Sequence, residues 1–200
     1  MNRNIRLALF LPLLMTVSGC ATYKTQIVNT ERVESYKNKI TVSGITVAAD
    51  PYDTADRAKS AFYIDLTKKN IKPIQLVVDN QSEDNVMIPR GEMRLMDSNG
   101  TEYQPVNSNY VYGKFEKNEL AYAFWGFGIF SYMSAQEAND KMKADWYEKE
   151  FPEERTIITK RKSSGFVFFE LGPHLKGMKL SVNALNLKTN QYTKIEVPID

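Results

Sequence analysis

Short runs that alternate apolar with polar residues, each cut off by a turn sequence, recur through this chain and restrict it to an antiparallel β fold. Ile40-Thr41-Val42 and Ile45-Thr46-Val47 alternate with a period of two, and Ser43-Gly44 between them shifts the parity as a β-bulge would. Pro51 closes this strand. Residues 74–78 form a continuous apolar run, the pattern of a strand buried on both faces or bridged by a preceding helix. Asp79-Asn80-Gln81-Ser82 reads as a turn, and residues 86–88 and 92–96 as strands around Pro89-Arg90-Gly91. Asp97-Ser98-Asn99-Gly100 predicts a type I′ hairpin, since Asn-Gly supplies two positive-φ positions, and residues 101–106 return. Strands follow at 156–158, 165–171, 179–186 and 192–199, the last two flanking a Lys188-Thr189-Asn190-Gln191 turn. This grammar predicts an antiparallel β-sandwich.

Two stretches carry helical patterning instead. Asp53 or Thr54 can cap a helix running to about Lys69, with Ala55, Ala58, Phe62 and Leu66 at helical spacing. A helical insertion is expected at about 115–152. Its first part, residues 120–133, is strongly aromatic and holds Gly126 and Gly128. Its second part, residues 134–151, is charged, with Ser134 as N-cap, Glu137 completing a capping box, and Pro152 as the stop.

The N-terminus fixes the address. Arg3 and Arg6 precede an apolar run over residues 7–17, the length of a secretory signal and too short to span a bilayer. Val17-Ser18-Gly19-Cys20 then resembles the lipobox of bacterial lipoproteins, whose cysteine is acylated and becomes the first residue of the mature chain. Cys20 is the sole cysteine, so its acylation leaves no thiol for a disulfide, and stability must come from core packing. Ala21 follows where Asp would favour inner-membrane retention in the sorting rule known for Gram-negative lipoproteins, which in a Gram-negative source points to the outer membrane, facing the periplasm. Residues 20–39 are polar, hold few large apolar residues (Ile27, Val28 and Val33) and read as a lipidated tether of roughly 60 Å reach that can add a short strand at its end, ahead of a domain over residues 40–200.

Loss of residues 1–19 from the 200 leaves 181, ample for one core. The signal carries two of the 26 Lys and Arg and none of the 24 Asp and Glu, so the mature chain has 24 of each. A balanced surface gives nucleic acid no basic face to bind.

Chemical sites are sparse. Asp50, Asp53 and Asp56 recur every third residue, but the spacing fits a helix start better than a calcium loop. Asp97 to Gly100 with Glu102 lacks the distal Glu of an EF-hand loop. His174 is the sole histidine, without the cysteine partners of a zinc site or a Gly-x-Ser-x-Gly elbow. No catalytic residue, metal or cofactor is assigned. The best working surface is Phe124, Trp125, Phe127 and Phe130 in the insertion. These aromatics can plug one end of the sandwich as core, or contact a membrane or partner. The mixed-sign charges that follow, Lys141, Lys143 and Lys149 against Asp140, Asp145, Glu148 and Glu150, form no cationic anchor and favour a protein partner over anionic lipid.

Several segments resemble a loose group of uncharacterised bacterial lipoproteins with an immunoglobulin-like β-sandwich. They are Val47-Ala48-Ala49-Asp50-Pro51-Tyr52, Phe62 and Leu66, Ile71-Lys72-Pro73-Ile74, Val77-Val78-Asp79-Asn80, the Asp97–Gly100 turn with Tyr103-Gln104-Pro105, and Ser164-Gly165-Phe166-Val167-Phe168-Phe169 followed by the last strand pair. The resemblance implies that fold and carries no catalytic residue. Three functions follow in order of preference. The first is a non-enzymatic envelope lipoprotein, held in the membrane through Cys20 and acting as an interaction or assembly scaffold for an envelope protein partner. The second is a lipid-binding module that uses the aromatic insertion. The third is an envelope hydrolase, which would need clustered carboxylates or a serine beside His174.

Overall fold

The computed structural model of the chain describes residues 23, 25–115, 132–172 and 175–199. Two antiparallel sheets stack face to face. The first is ordered β1 (Lys39–Val42), β2 (Ile45–Pro51), β3 (Ile71–Asn80), β9 (Arg161–Glu170), β7 (Pro105–Val106). The second is ordered β6 (Glu102–Tyr103), β5 (Arg94–Met96), β10 (Met178–Asn186), β4 (Val86–Pro89), β8 (Glu154–Ile157), with β11 (Gln191–Ile199) along the other edge of β10. Among the described residues the α-helices are α1 (Ala55–Phe62), α2 (Ser108–Gly113) and α3 (Tyr132–Lys149). The fold is an antiparallel β-sandwich with helical insertions, as the strand grammar predicts.

The main core lies between the sheets. Val47, Ile74 and Leu76 of the first meet Leu95, Val182 and Val197 of the second, all fully buried. Each such aliphatic side chain contributes roughly 1.5–3 kcal/mol relative to exposure. The outer face of the first sheet is covered too. Phe166 and Phe168 pack under Phe62 of α1 and Trp146 of α3, while Ala48 and Val77 lie under Val33 and Tyr36. β3 is therefore buried on both faces, which explains its unbroken apolar run.

Several local expectations are corrected. Ser43-Gly44 is a two-residue turn with φ of 51° and 78°, so the two alternating runs are separate strands of a hairpin, not one bulged strand. The first helix ends at Phe62 because Tyr63 adopts a left-handed conformation, φ 70°; residues 66–69 form a separate 3₁₀ turn. Thr54 is the cap, accepting from the Arg57 amide. At residues 97–100 only Gly100 has positive φ, 82°, and its amide donates to the Asp97 carbonyl at 3.1 Å. The turn is thus type I with a glycine bulge, not type I′. α3 is already helical at Tyr132, which places Ser134 inside the helix instead of at its cap.

Pro89-Arg90-Gly91 does not reverse the chain. β4 and β5 lie on the same edge of β10: Met87 faces Leu185 and Leu95 faces Leu180. Eight residues on one strand therefore span five on the other, and the extra three form a 3₁₀ turn that brings Arg90 under the sheet.

Candidate functional site

The stretch expected to hang free as a tether is instead laid along the outer face of the first sheet. Val33 sits in a 3₁₀ turn three residues before Tyr36, so both side chains reach Ala48 and Val77. Polar contacts fasten the rest. Thr30 Oγ1 lies 2.9 Å from Ser164 Oγ, Lys162 Nζ donates to the Glu31 carbonyl at 3.3 Å, and the Ala49 amide donates to the Asn38 carbonyl at 2.9 Å. The sequence count of apolar residues in this stretch overlooked Tyr23 and Tyr36, each of which buries an aromatic ring.

Between this segment and α1 runs a polar groove of about 400 Å³, bordered by Glu31, Tyr36, Asp50, Tyr52, Arg57 and Gln75. Arg57 forks onto both oxygens of Asp50 at 2.8 and 2.7 Å, and its guanidinium lies 4.2 Å from the centre of the Tyr52 ring. The Asp50 hydrogen bonds hold the guanidinium pKa above its ordinary value. Asp50 is thereby committed to Arg57, and Asp56 stands in the first turn of α1, as a helix start requires. Among the described residues no three His, Cys, Asp or Glu side chains converge as a metal site would need.

At the N-terminal end of the segment stands a buried polar junction. The Tyr23 hydroxyl donates to Asp145 of α3, whose same oxygen also pairs with Lys149 Nζ at 2.5 Å. Lys149 donates in turn to the Ala61 carbonyl of α1 at 2.7 Å, and Trp146 Nε1 donates to the Phe62 carbonyl at 3.3 Å. Burial, reinforced by Asp145, pushes the Tyr23 phenol far above its ordinary range, so it remains a protonated donor. Burial lowers the Lys149 pKa, against the pull of Asp145. Tyr23, α1 and α3 thus meet through one carboxylate, with the Tyr63 ring edge-on to Tyr23 at 5.7 Å.

A second junction ties the C-terminal end of α3 to the second sheet. Glu150 pairs with Arg90 through one oxygen and accepts from the Ser108 hydroxyl at 2.6 Å through the other, while Arg90 also reaches Glu153 at 2.5 Å. Asp145, Lys149 and Glu150 are therefore internal fasteners, a role that their mixed signs in the sequence do not reveal. Their i, i+4 spacing carried the signal for one pair, but the helix has equally spaced pairs that stay in solvent, such as Glu137 with Lys141. The lipobox Val17, Ser18 and Gly19, Cys20, the aromatics Phe124, Trp125, Phe127 and Phe130, and His174 all lie outside the described residues.

No protein-family model matches the chain, and no curated protein does. Solved structures similar to it include two from Bacillus subtilis. One is the yjhA protein from Bacillus subtilis, 13% identical, with TM-score 0.42, covering 82% of this chain and 98% of that one. The other is described as a "putative lipoprotein (ycdA)" from Bacillus subtilis subsp. subtilis str. 168. It is 11% identical, with TM-score 0.39, covering 80% of this chain and 38% of that one. Among the described residues no helix is long and apolar enough to cross a membrane.

Proposed function

We propose that this protein is a non-enzymatic lipoprotein of the bacterial envelope, anchored through acylated Cys20 and acting as an interaction or assembly scaffold on the periplasmic side of the outer membrane. The observation that carries the reading is the junction at Tyr23. A lipobox cysteine stands three residues before a residue fastened into the fold, so an acyl anchor there holds the folded body itself and not a loose tail. The buried carboxylates support a structural role. Asp145 is spent on Tyr23 and Lys149, and Glu150 on Arg90 and Ser108, where a hydrolase would keep such groups for substrate. The resemblance to sandwich lipoproteins points the same way, as an argument from fold alone.

Metabolic labelling with an alkyne fatty acid in a bacterial host tests the anchor. Wild-type protein is expected to take the label and float with membranes, and Cys20→Ser to do neither. An unlabelled wild-type chain sinks the reading.

A further inference from the structure

We propose that the face of the molecule around Tyr23 lies against the bilayer that holds Cys20: Thr25, Tyr63 and the exposed flank of α3 at Lys141, Ala144 and Glu148. The inference rests on the anchor reading above and adds an orientation to it. Two residues, 21 and 22, separate Cys20 from Tyr23. Three residue steps span about 10 Å at full extension. The headgroup layer of one leaflet is itself roughly 5–8 Å thick, since it is half the difference between the whole bilayer and its hydrocarbon core. A cysteine whose acyl chains enter the hydrocarbon therefore brings Tyr23 to within a few ångström of the headgroup surface.

Tyr23 cannot move towards the membrane alone. Only 6% of it is exposed, its hydroxyl is held by Asp145, and Asp145 is held by Lys149, which bonds the end of α1. Whatever distance the leash sets for Tyr23 is set for α1 and α3 together. The cleft beside it is lined by Thr25, Lys141, Ala144, Asp145 and Glu148, so these side chains share its depth. The outer face of the second sheet, by contrast, lies beyond both sheets, with Lys179 of β10 exposed there. Sheets stack about 10 Å apart, and the helical layer adds a similar thickness, so Lys179 stands roughly 20 Å farther out.

The chemistry of the face identifies how it is held. Lys141 is neutralised by Glu137 at 2.7 Å, and Glu148 adds the opposite sign, so among the described residues the cleft lining carries no excess of positive charge. Tyr63, 37% exposed at the end of α1, supplies the amphipathic ring suited to a headgroup layer. The leash, and not charge, sets the apposition, which is therefore indifferent to anionic lipid and to salt.

Acylation of Cys20 leaves no free thiol, so Ala144→Cys and Lys179→Cys each offer one labelling site on the mature lipidated protein. Each is labelled with a small fluorophore and reconstituted in phosphatidylcholine vesicles doped with nitroxide-headgroup lipid. Quenching at position 144 is expected to exceed that at 179 several-fold, and to be unchanged by 20% anionic lipid or 0.5 M salt, about the scale at which surface charge is screened. A spacer of about ten Gly and Ser residues between Ala21 and Thr22 lengthens the leash by roughly 30 Å without touching the fold. It is expected to bring the two sites to equal quenching at unchanged Tm. Equal or inverted quenching in the unspaced, floating protein overturns the orientation while leaving the anchor standing. A contrast that survives the spacer overturns the leash and shows that the face binds lipid by itself. A protein that fails to float removes the anchor, and the orientation with it.

Discussion

Gly165 in β9 is where the chain leaving α3 touches down on the sheet. A Cβ there would stand 2.7 Å from Phe151 Cα and 2.8 Å from Phe151 N, both backbone atoms that cannot step aside. The contact is structural on both sides, since the Phe151 amide donates to the Phe166 carbonyl at 2.8 Å and the Phe151 ring is fully buried. Gly165→Ala is therefore expected to cost about 1–3 kcal/mol, read as a lowered denaturant midpoint at unchanged slope. Asn80 acts at the same scale. Its side chain is buried and donates to the carbonyls of Asp84 at 2.9 Å and Ile157 at 3.0 Å, while its oxygen accepts from the Ser82 amide at 3.1 Å. Asn80→Ala leaves these groups short of partners and is expected to lose about 1–3 kcal/mol by the same measurement. Loss of under half a kcal/mol at either position would contradict the geometry.

Turns decide the elements, and the Asp97 turn adds a pH dependence. Amide donors from Thr101 and Asn99 hold the Asp97 carboxyl below its ordinary pKa, Asn99 at 2.9 Å and Thr101 at 2.8 Å. A carboxyl whose folded pKa is depressed adds stability above its unfolded pKa and loses it as pH falls through the folded value. Asp97→Asn keeps an acceptor but cannot titrate. Wild type is expected to be the more stable at pH 7, with the gap in Tm closing as pH falls through and below the usual aspartate range. A gap that persists at low pH would show that the charge is not responsible. Strands with one face in solvent were legible from period-two alternation, β3 from its continuous apolar run, and Thr54 because a cap acts within four residues. What was not legible depended on φ. Ser43-Gly44 and Asn99-Gly100 both offer positive-φ residues, yet the first uses two such positions and the second only one. That choice follows from how many residues each hairpin must close, which the local sequence does not state. α2 escaped notice for a related reason. It is six residues long, and its cap, Asn107, reads equally well as a loop residue until its side chain is seen accepting from the Tyr110 amide at 2.8 Å.

For the whole molecule, the largest departure from the sequence reading concerns where the folded body begins. Polar composition over residues 21–39 predicts a leash, and a leash would let the sandwich range far from its anchor. Composition misleads here because a segment that adds to an existing sheet face needs only a few buried contacts, spaced by a 3₁₀ turn. Val33, Tyr36 and Tyr23 supply them, at 4%, 9% and 6% exposure. Two truncations separate the alternatives. A chain beginning at Ala21 keeps every described contact of the segment. One beginning at Lys39 uncovers Ala48 and Val77 and strips Asp145 of the Tyr23 hydroxyl, leaving a buried carboxylate with Lys149 alone. Removing three such side chains forfeits about 4.5–9 kcal/mol of burial, a large part of the total stability of a domain this size. The expected result is a soluble, cooperatively melting chain from Ala21 and a strongly destabilised or insoluble chain from Lys39. If both melted at the same temperature, the segment would contribute no net stability. The folded body would then stand off from Cys20 by the full length of the leash, and the short coupling between anchor and sandwich would be lost.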